Sequence, residues 1–386
     1  MMELAGREHD YSRYDSLAAQ LARRRGVRPL FAARALVGVG SGDAQRRATV
    51  LAEVRGADAT DPVPAWVVAT FTEDLDAARE IAAGSLRRAP TPRETAQLQL
   101  TLAGVELAAG RWHAGRAALA AAAAAGDRAG APALRRVAQQ VQALCASLPM
   151  LSIPPSDLVT VRAAVDAWPS TVDSSAFAQD LPGALQPHMR LYLLGLLDAR
   201  KGAYDDALRH AAAIERLAVV PGAEPVTRTL VRGVRAAVAL QRGDPTAVLA
   251  ELGATNDVIP PIYAAEFRPA EVHARWLRAE ALFALRRDDE ALHWYALALE
   301  APVANGAMLE LVLAAPTHLR RAEIHERRGN VAAAEAGYRR FQAMWREADP
   351  PALALVQRSV ARAGAPGPDR PGRPGRPGRP AGAQSP

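Results

Sequence analysis

An all-α fold of stacked antiparallel helix pairs is predicted by three observations on this sequence. Ala supplies more than a fifth of the 386 residues, Leu is abundant and aromatics make up only 5%, a composition that favours helix over strand on intrinsic propensity. Turn positions recur at 202, 243, 286 and 329, separated by 41, 43 and 43 residues. Small residues flank these turns at the places where two helices of a pair must cross closely.

Taken in order, helices are expected over residues 9–24, 28–38, 43–54 and 73–87, without a clear repeat, as a continuation or cap of the stack. Leu102, Ala103, Gly110 and Trp112 form an early copy of the unit. From Gly110 to Gly202 is 92 residues, room for two units with one degenerate between them. Cys145 lies among Val137, Val141, Leu144 and Leu148 at helical spacing, which reads as a buried small hydrophobe. The stretch from Pro149 to Pro187 contains Pro154-Pro155, Pro169 and Pro182, and is expected to be a hinge with a small helix near 156–168.

Between His188 and Ile214 two apolar helices flank Lys201-Gly202-Ala203-Tyr204, with Leu191, Leu194 and Gly195 on one face and Ala207 at the crossing. A glycine supplies the left-handed backbone that ends the first helix. The layout returns as Ala236, Gly243-Asp244 and Val248, as Ala279, Arg286-Arg287 and Ala291, and as Ala322, Gly329-Asn330 and Ala334. Tandem Arg-Pro-Gly after Ala365 cannot bury a core and reads as a solvated, disordered tail. The organisation is therefore an N-terminal helical array (1–148), a Pro-rich hinge (149–187), a repeat array (188–364) and the tail (365–386).

The net charge of +6 does not point to nucleic acid. The tail carries four Arg and one Asp, which leaves 43 basic and 40 acidic residues elsewhere, or +3. Lys201 is the only lysine and sits in a helix-helix turn, outside the settings that a P-loop, a kinase or a Schiff-base enzyme requires. Gly38-Val39-Gly40-Ser41-Gly42 follows a helical stretch, with Asp43 where a dinucleotide fingerprint needs glycine, and reads as a turn. His318 and His325 stand two helical turns apart, too far for a close ligand pair, and Arg23-Arg24-Arg25 closes a helix. One cysteine excludes an intrachain disulfide and multi-cysteine zinc sites, and fits a reducing cytoplasm. The first residues lack an apolar signal, and the run Ala117–Ala125 is far too short to span a membrane. No catalytic, metal or cofactor site is expected.

The order small residue, Gly turn, aromatic or small residue, Ala, then Tyr resembles the tetratricopeptide repeat. It is carried best by Leu191, Leu194, Gly195, Gly202, Tyr204 and Ala207, and by Ala322, Gly329, Ala334, Tyr338 and Phe341. Asp198, Ala211 and Arg286 depart from that pattern, and the spacing exceeds the usual length. The resemblance implies a right-handed α-solenoid whose first helices line a concave groove for a peptide or helix. It places ligand-facing residues at Tyr192, Leu196, Arg200, Trp276, Glu280, Phe283, Glu323 and Arg327. Trp276 and Phe283 read equally well as packing between repeats. Tyr338-Arg339-Arg340-Phe341, Met344-Trp345 and Ala348-Asp349-Pro350 further resemble the C-terminal repeat regions of bacterial serine/threonine kinases and transcriptional activators. The expected function is a non-enzymatic interaction scaffold with a protein or peptide partner, compatible with self-association. The alternative is a ligand-sensing regulatory module whose effector domain lies outside this chain.

Overall fold

The computed structural model describes residues 62–171, 181–219, 221–253, 259–299 and 308–364, with isolated positions before residue 62. Among them every regular element is helical: α1 (Val63–Thr72), α2 (Leu75–Arg88), α3 (Pro92–Ala108), α4 (Trp112–Arg128), α5 (Pro132–Ser147), α6 (Pro155–Asp166), α7 (Leu181–Ala184), α8 (Gln186–Arg200), α9 (Tyr204–Arg216), α10 (Glu224–Gln241), α11 (Pro245–Leu252), α12 (Pro261–Ala284), α13 (Asp288–Leu299), α14 (Met308–Arg327), α15 (Val331–Met344) and α16 (Pro350–Gly364). Of the expected N-terminal helices only the one over 73–87 is described, as α2. The glycine stretch 38–42, Arg23 to Arg25 and the tail lie outside the described residues.

Local chemistry starts and stops these helices. Asp74, Thr91, Asp244 and Asn330 each accept the backbone N–H three residues on, satisfying an otherwise orphaned donor. At the other end, the N–H groups of Arg111, Ala203, Asp244, Arg287 and Asn330 each donate to the carbonyl five residues back, one repeated six-residue closure. The residue before each donor has positive φ: Gly110 (71°), Gly202 (80°), Gly243 (74°), Arg286 (58°) and Gly329 (70°). The turn glycines are therefore required by backbone conformation, and Arg286 adopts that conformation without being one.

The pairs pack through small residues. A Cβ on Gly195 would lie 2.8 Å from Val234, and one on Gly337 would lie 2.9 Å from Ala322. Ala207, Val248 and Ala291 are fully buried, and Ala334 nearly so. Helices α3, α5, α8, α10, α12 and α14 form an inner layer in which each packs against the next, and α4, α6, α9, α11, α13 and α15 cover it from outside. The inner layer closes, because α14 packs against α3. Among the described residues the inner layer therefore forms a ring.

Residues 149–166 of the expected hinge continue this ring. The indole Nε1 of Trp112 donates to Asp157 at 2.7 Å, and Arg162 on α6 holds Asp198 on α8 at 2.7 Å and 3.1 Å. The small helix α6 is thus tied to the units on both sides. Its prolines start the helix at the first turn, where the missing N–H costs nothing.

Candidate functional site

Contacts along the inner layer show that its helices run parallel. Gln140 on α5 and Gln186 on α8 both donate to Glu266 on α12, at 2.7 Å and 3.0 Å. One or two turns further on, the Tyr192 hydroxyl meets His273 Nδ1 at 3.0 Å. Beyond these, Ser147, Pro149, Leu196, Arg200, Gln241 and His273 line a small pocket. Inner-helix C-termini converge there, so the mouth carries the negative ends of several helix dipoles and is suited to arginine.

Two guanidinium groups organise this mouth. Arg200 closes α8 and donates to the backbone carbonyls of Leu151, at 3.2 Å, and Pro149, at 3.5 Å. Burial lowers its pKa, so these carbonyls are its compensation for leaving water. Arg320 on α14 donates to both oxygens of Glu280, at 3.0 Å each, to Glu323 at 2.9 Å and to the Met150 sulfur at 3.7 Å. Burial would lower the Arg320 pKa, but the Glu280 carboxylate, with Tyr295 and Glu323, raises it above the ordinary guanidinium value. Arg320 and Arg327 both stand over the Phe283 ring, 4.7 Å and 4.3 Å from its centroid. Arg327 also pairs with Asp288, and the Tyr295 hydroxyl donates to Glu280.

The structure divides the eight residues expected to face a ligand. Tyr192, Leu196 and Trp276 are 0%, 2% and 1% exposed, inside the wall. Trp276 packs against Tyr295 at 5.5 Å, so this aromatic fills the seam between inner and outer layers. Arg200, Glu280, Phe283, Glu323 and Arg327 are partly exposed around the mouth, and the last four are gathered by Arg320. Arg320 was not among the expected residues. Its signal was present as Glu323 three residues on, but the partner Glu280 lies 40 residues away. The connection from Ser147 to Pro155 also went unrecognised as part of the site. It takes seven residues where the other inner-to-outer turns take three.

Other titratable groups are committed to structure. Burial pushes the Cys145 thiol up to about 12 and His273 down to about 4. His318 Nε2 meets Glu73 at 2.6 Å and is thereby separated in role from His325. Among the described residues no group of three or more His, Cys, Asp and Glu is placed to hold a metal ion, and no helix is long and apolar enough to cross a membrane. The mouth offers guanidinium donors, an aromatic face and a small apolar pocket, an arrangement suited to gripping a main chain. No family model and no curated protein matches this chain.

Proposed function

We propose that this chain is a non-enzymatic interaction scaffold of tetratricopeptide-like helix pairs that binds a segment of another protein at the inner-helix mouth. The observation that carries this reading is the hold of Arg200 on two backbone carbonyls, of Pro149 and Leu151, beside a pocket lined by Leu196. Main-chain carbonyls are common to every peptide, so a guanidinium aimed at them gives affinity. The five matching turn closures and the small residues at the helix crossings support the repeat assignment. Arg200, Phe283, Glu323 and Arg327 are the contact residues of this reading, with Glu280 fixing Arg320 beneath them.

Selection of a random peptide display library on the purified chain tests it. Enriched peptides are expected to bind, and to lose at least tenfold in affinity on Arg200→Ala with unfolding unchanged. Enrichment of nothing, or of peptides indifferent to both Arg200→Ala and Phe283→Ala, overturns the reading.

A further inference from the structure

The seven-residue connection between α5 and α6 behaves differently from every other inner-to-outer turn. After one local turn it runs across the mouth, with Arg200 of α8 and Arg320 of α14 both reaching it. After the turn at Pro149 and Met150 burial alternates: Leu151 and Ile153 are buried, Ser152 is exposed and Pro154 half-buried. That period of two belongs to an extended chain with one face on a surface. Leu151 N–H closes a local turn on Leu148, while the N–H groups of Ser152 and Ile153 take no backbone partner. The segment is held by Leu151 and Ile153 in the hydrophobic core, through its carbonyls by Arg200 and through the Met150 thioether by Arg320.

We propose that residues 149–154 are an intramolecular occupant of the mouth, filling the place that an extended, uncharged, apolar segment of a partner protein takes when this strap leaves. The inference rests on the interaction reading above and names its ligand class. The uncharged class is read from the strap itself and from the cations beside it: Arg320 is matched by Glu280 and Glu323, Arg327 by Asp288, and Arg200 is turned to the Pro149 and Leu151 carbonyls. The strap itself, Pro149-Met150-Leu151-Ser152-Ile153-Pro154, carries no charge, and the mouth accommodates it. A competitor that must first displace it binds more weakly by the fraction of time the mouth is empty.

The probe is a fluorescein-labelled peptide of residues 147–156, read by anisotropy against the full chain. The triple variant Met150→Gly, Leu151→Gly, Ile153→Gly is expected to bind it at least tenfold more tightly than the unaltered chain. Adding Arg200→Ala should remove that gain. A folded triple variant that binds no better overturns the proposal. If the variant loses cooperative unfolding, hydrogen exchange on the unaltered chain decides. The Leu151 amide, which is bonded to the Leu148 carbonyl, should exchange at least tenfold faster than those of α8 and α12, and faster again on Arg200→Ala. Exchange as slow as in those helices would make the strap part of the global fold and sink the idea. Library peptides that require Arg200 yet fail to compete with the probe would leave the scaffold reading standing and remove this one.

Discussion

The ring is held by two kinds of seam. Within the wall from α8 to α13, neighbouring helices meet mainly through Gly195, Ala207, Val248, Ala291 and other small or branched apolar residues. Where α2 to α4 meet α14 to α16, apolar contacts such as Gly104 on Met308 and Gly110 on Ala348 are joined by polar ones. Arg111 pairs with Glu106 and with Glu347, Arg346 pairs with Asp76, and His318 meets Glu73. The Asp349 N–H donates to the Gly110 carbonyl at 3.1 Å, and the Asp349 carboxylate accepts from the His113 N–H at 3.2 Å. A dry seam depends on close approach, whereas a polar seam depends on matched groups that remain partly wet. The first resists opening more strongly per contact, because exposed ion pairs contribute little.

Trp345 is the largest apolar side chain of the closing seam, and its loss should have the largest effect. It is fully buried, packs on Phe341 at 5.2 Å and donates from Nε1 to the Ala108 carbonyl at 3.0 Å. Trp345→Ala should cost about 4 kcal/mol in urea unfolding. Amide exchange at Ala109 to Trp112 should rise before that of α8 to α12 changes. Equal loosening everywhere would mean that the two seams form one cooperative unit.

Gly195→Leu attacks the dry seam instead. Even a Cβ at Gly195 would stand within 3.0 Å of both Val234 methyls. The larger side chain should cost about 3 kcal/mol by forcing α8 from α10. Gly195→Ala combined with Val234→Ala should recover most of the loss seen for Gly195→Ala alone. Absence of coupling in that double-mutant cycle would show that the seam has slack.

The same contrast explains what was legible in the sequence. The helical class and the unit spacing could be read, because Gly202, Gly243 and Gly329 are dictated by local backbone conformation. Ala207 and Ala334 were legible as crossings for the same local reason. Closure was not legible, since Arg111 and Glu347 are 236 residues apart and neither lies in a motif. Trp276 and Tyr192 were placed on a ligand face from their position in the first helix of a pair. In a closed ring that face is largely covered by the neighbouring helices, which the repeat pattern alone does not encode. The strap was masked by its prolines, which signal a break equally well in a hinge and in an extended segment lying on a surface.

Asp198 marks where a polar group enters the wall. Burial would raise its carboxyl pKa, but hydrogen bonds from His210 and Arg162 outweigh this and hold it down to about 2, against an ordinary value of 3.8. A depressed carboxylate contributes stability in full above its unfolded pKa and loses it as pH falls through the folded one. The contribution is about 2 kcal/mol, present at pH 7 and fading between roughly pH 4 and pH 2. Urea titrations across that range should show the loss, and Asp198→Asn should remove this part of the pH dependence. An unchanged profile in the variant would assign the acid sensitivity to the closing seam.

The smallest effect separates the seams by sign. Arg286 and Glu73 are the two described non-glycine residues with positive φ, both at 58°. Arg286 sits at a wall turn whose equivalents are glycine, so the strain of its Cβ has no counterpart in the pattern of the fold. Arg286→Gly should stabilise by about 1 kcal/mol, the left-handed penalty less the added freedom of the unfolded chain. Glu73 bears the same strain at the closing seam, but its carboxylate is bonded to His318, whose side chain is only 4% exposed. Glu73→Gly relieves the backbone and removes that bond, leaving a buried imidazole without its partner, so it should destabilise. Opposite signs in thermal unfolding would establish that positive φ is tolerated at Glu73 for the contact it makes. Stabilisation by both would show that the His318 contact contributes less than the strain it requires, and that Trp345 and the Asp349–Gly110 bond hold the ends together without it.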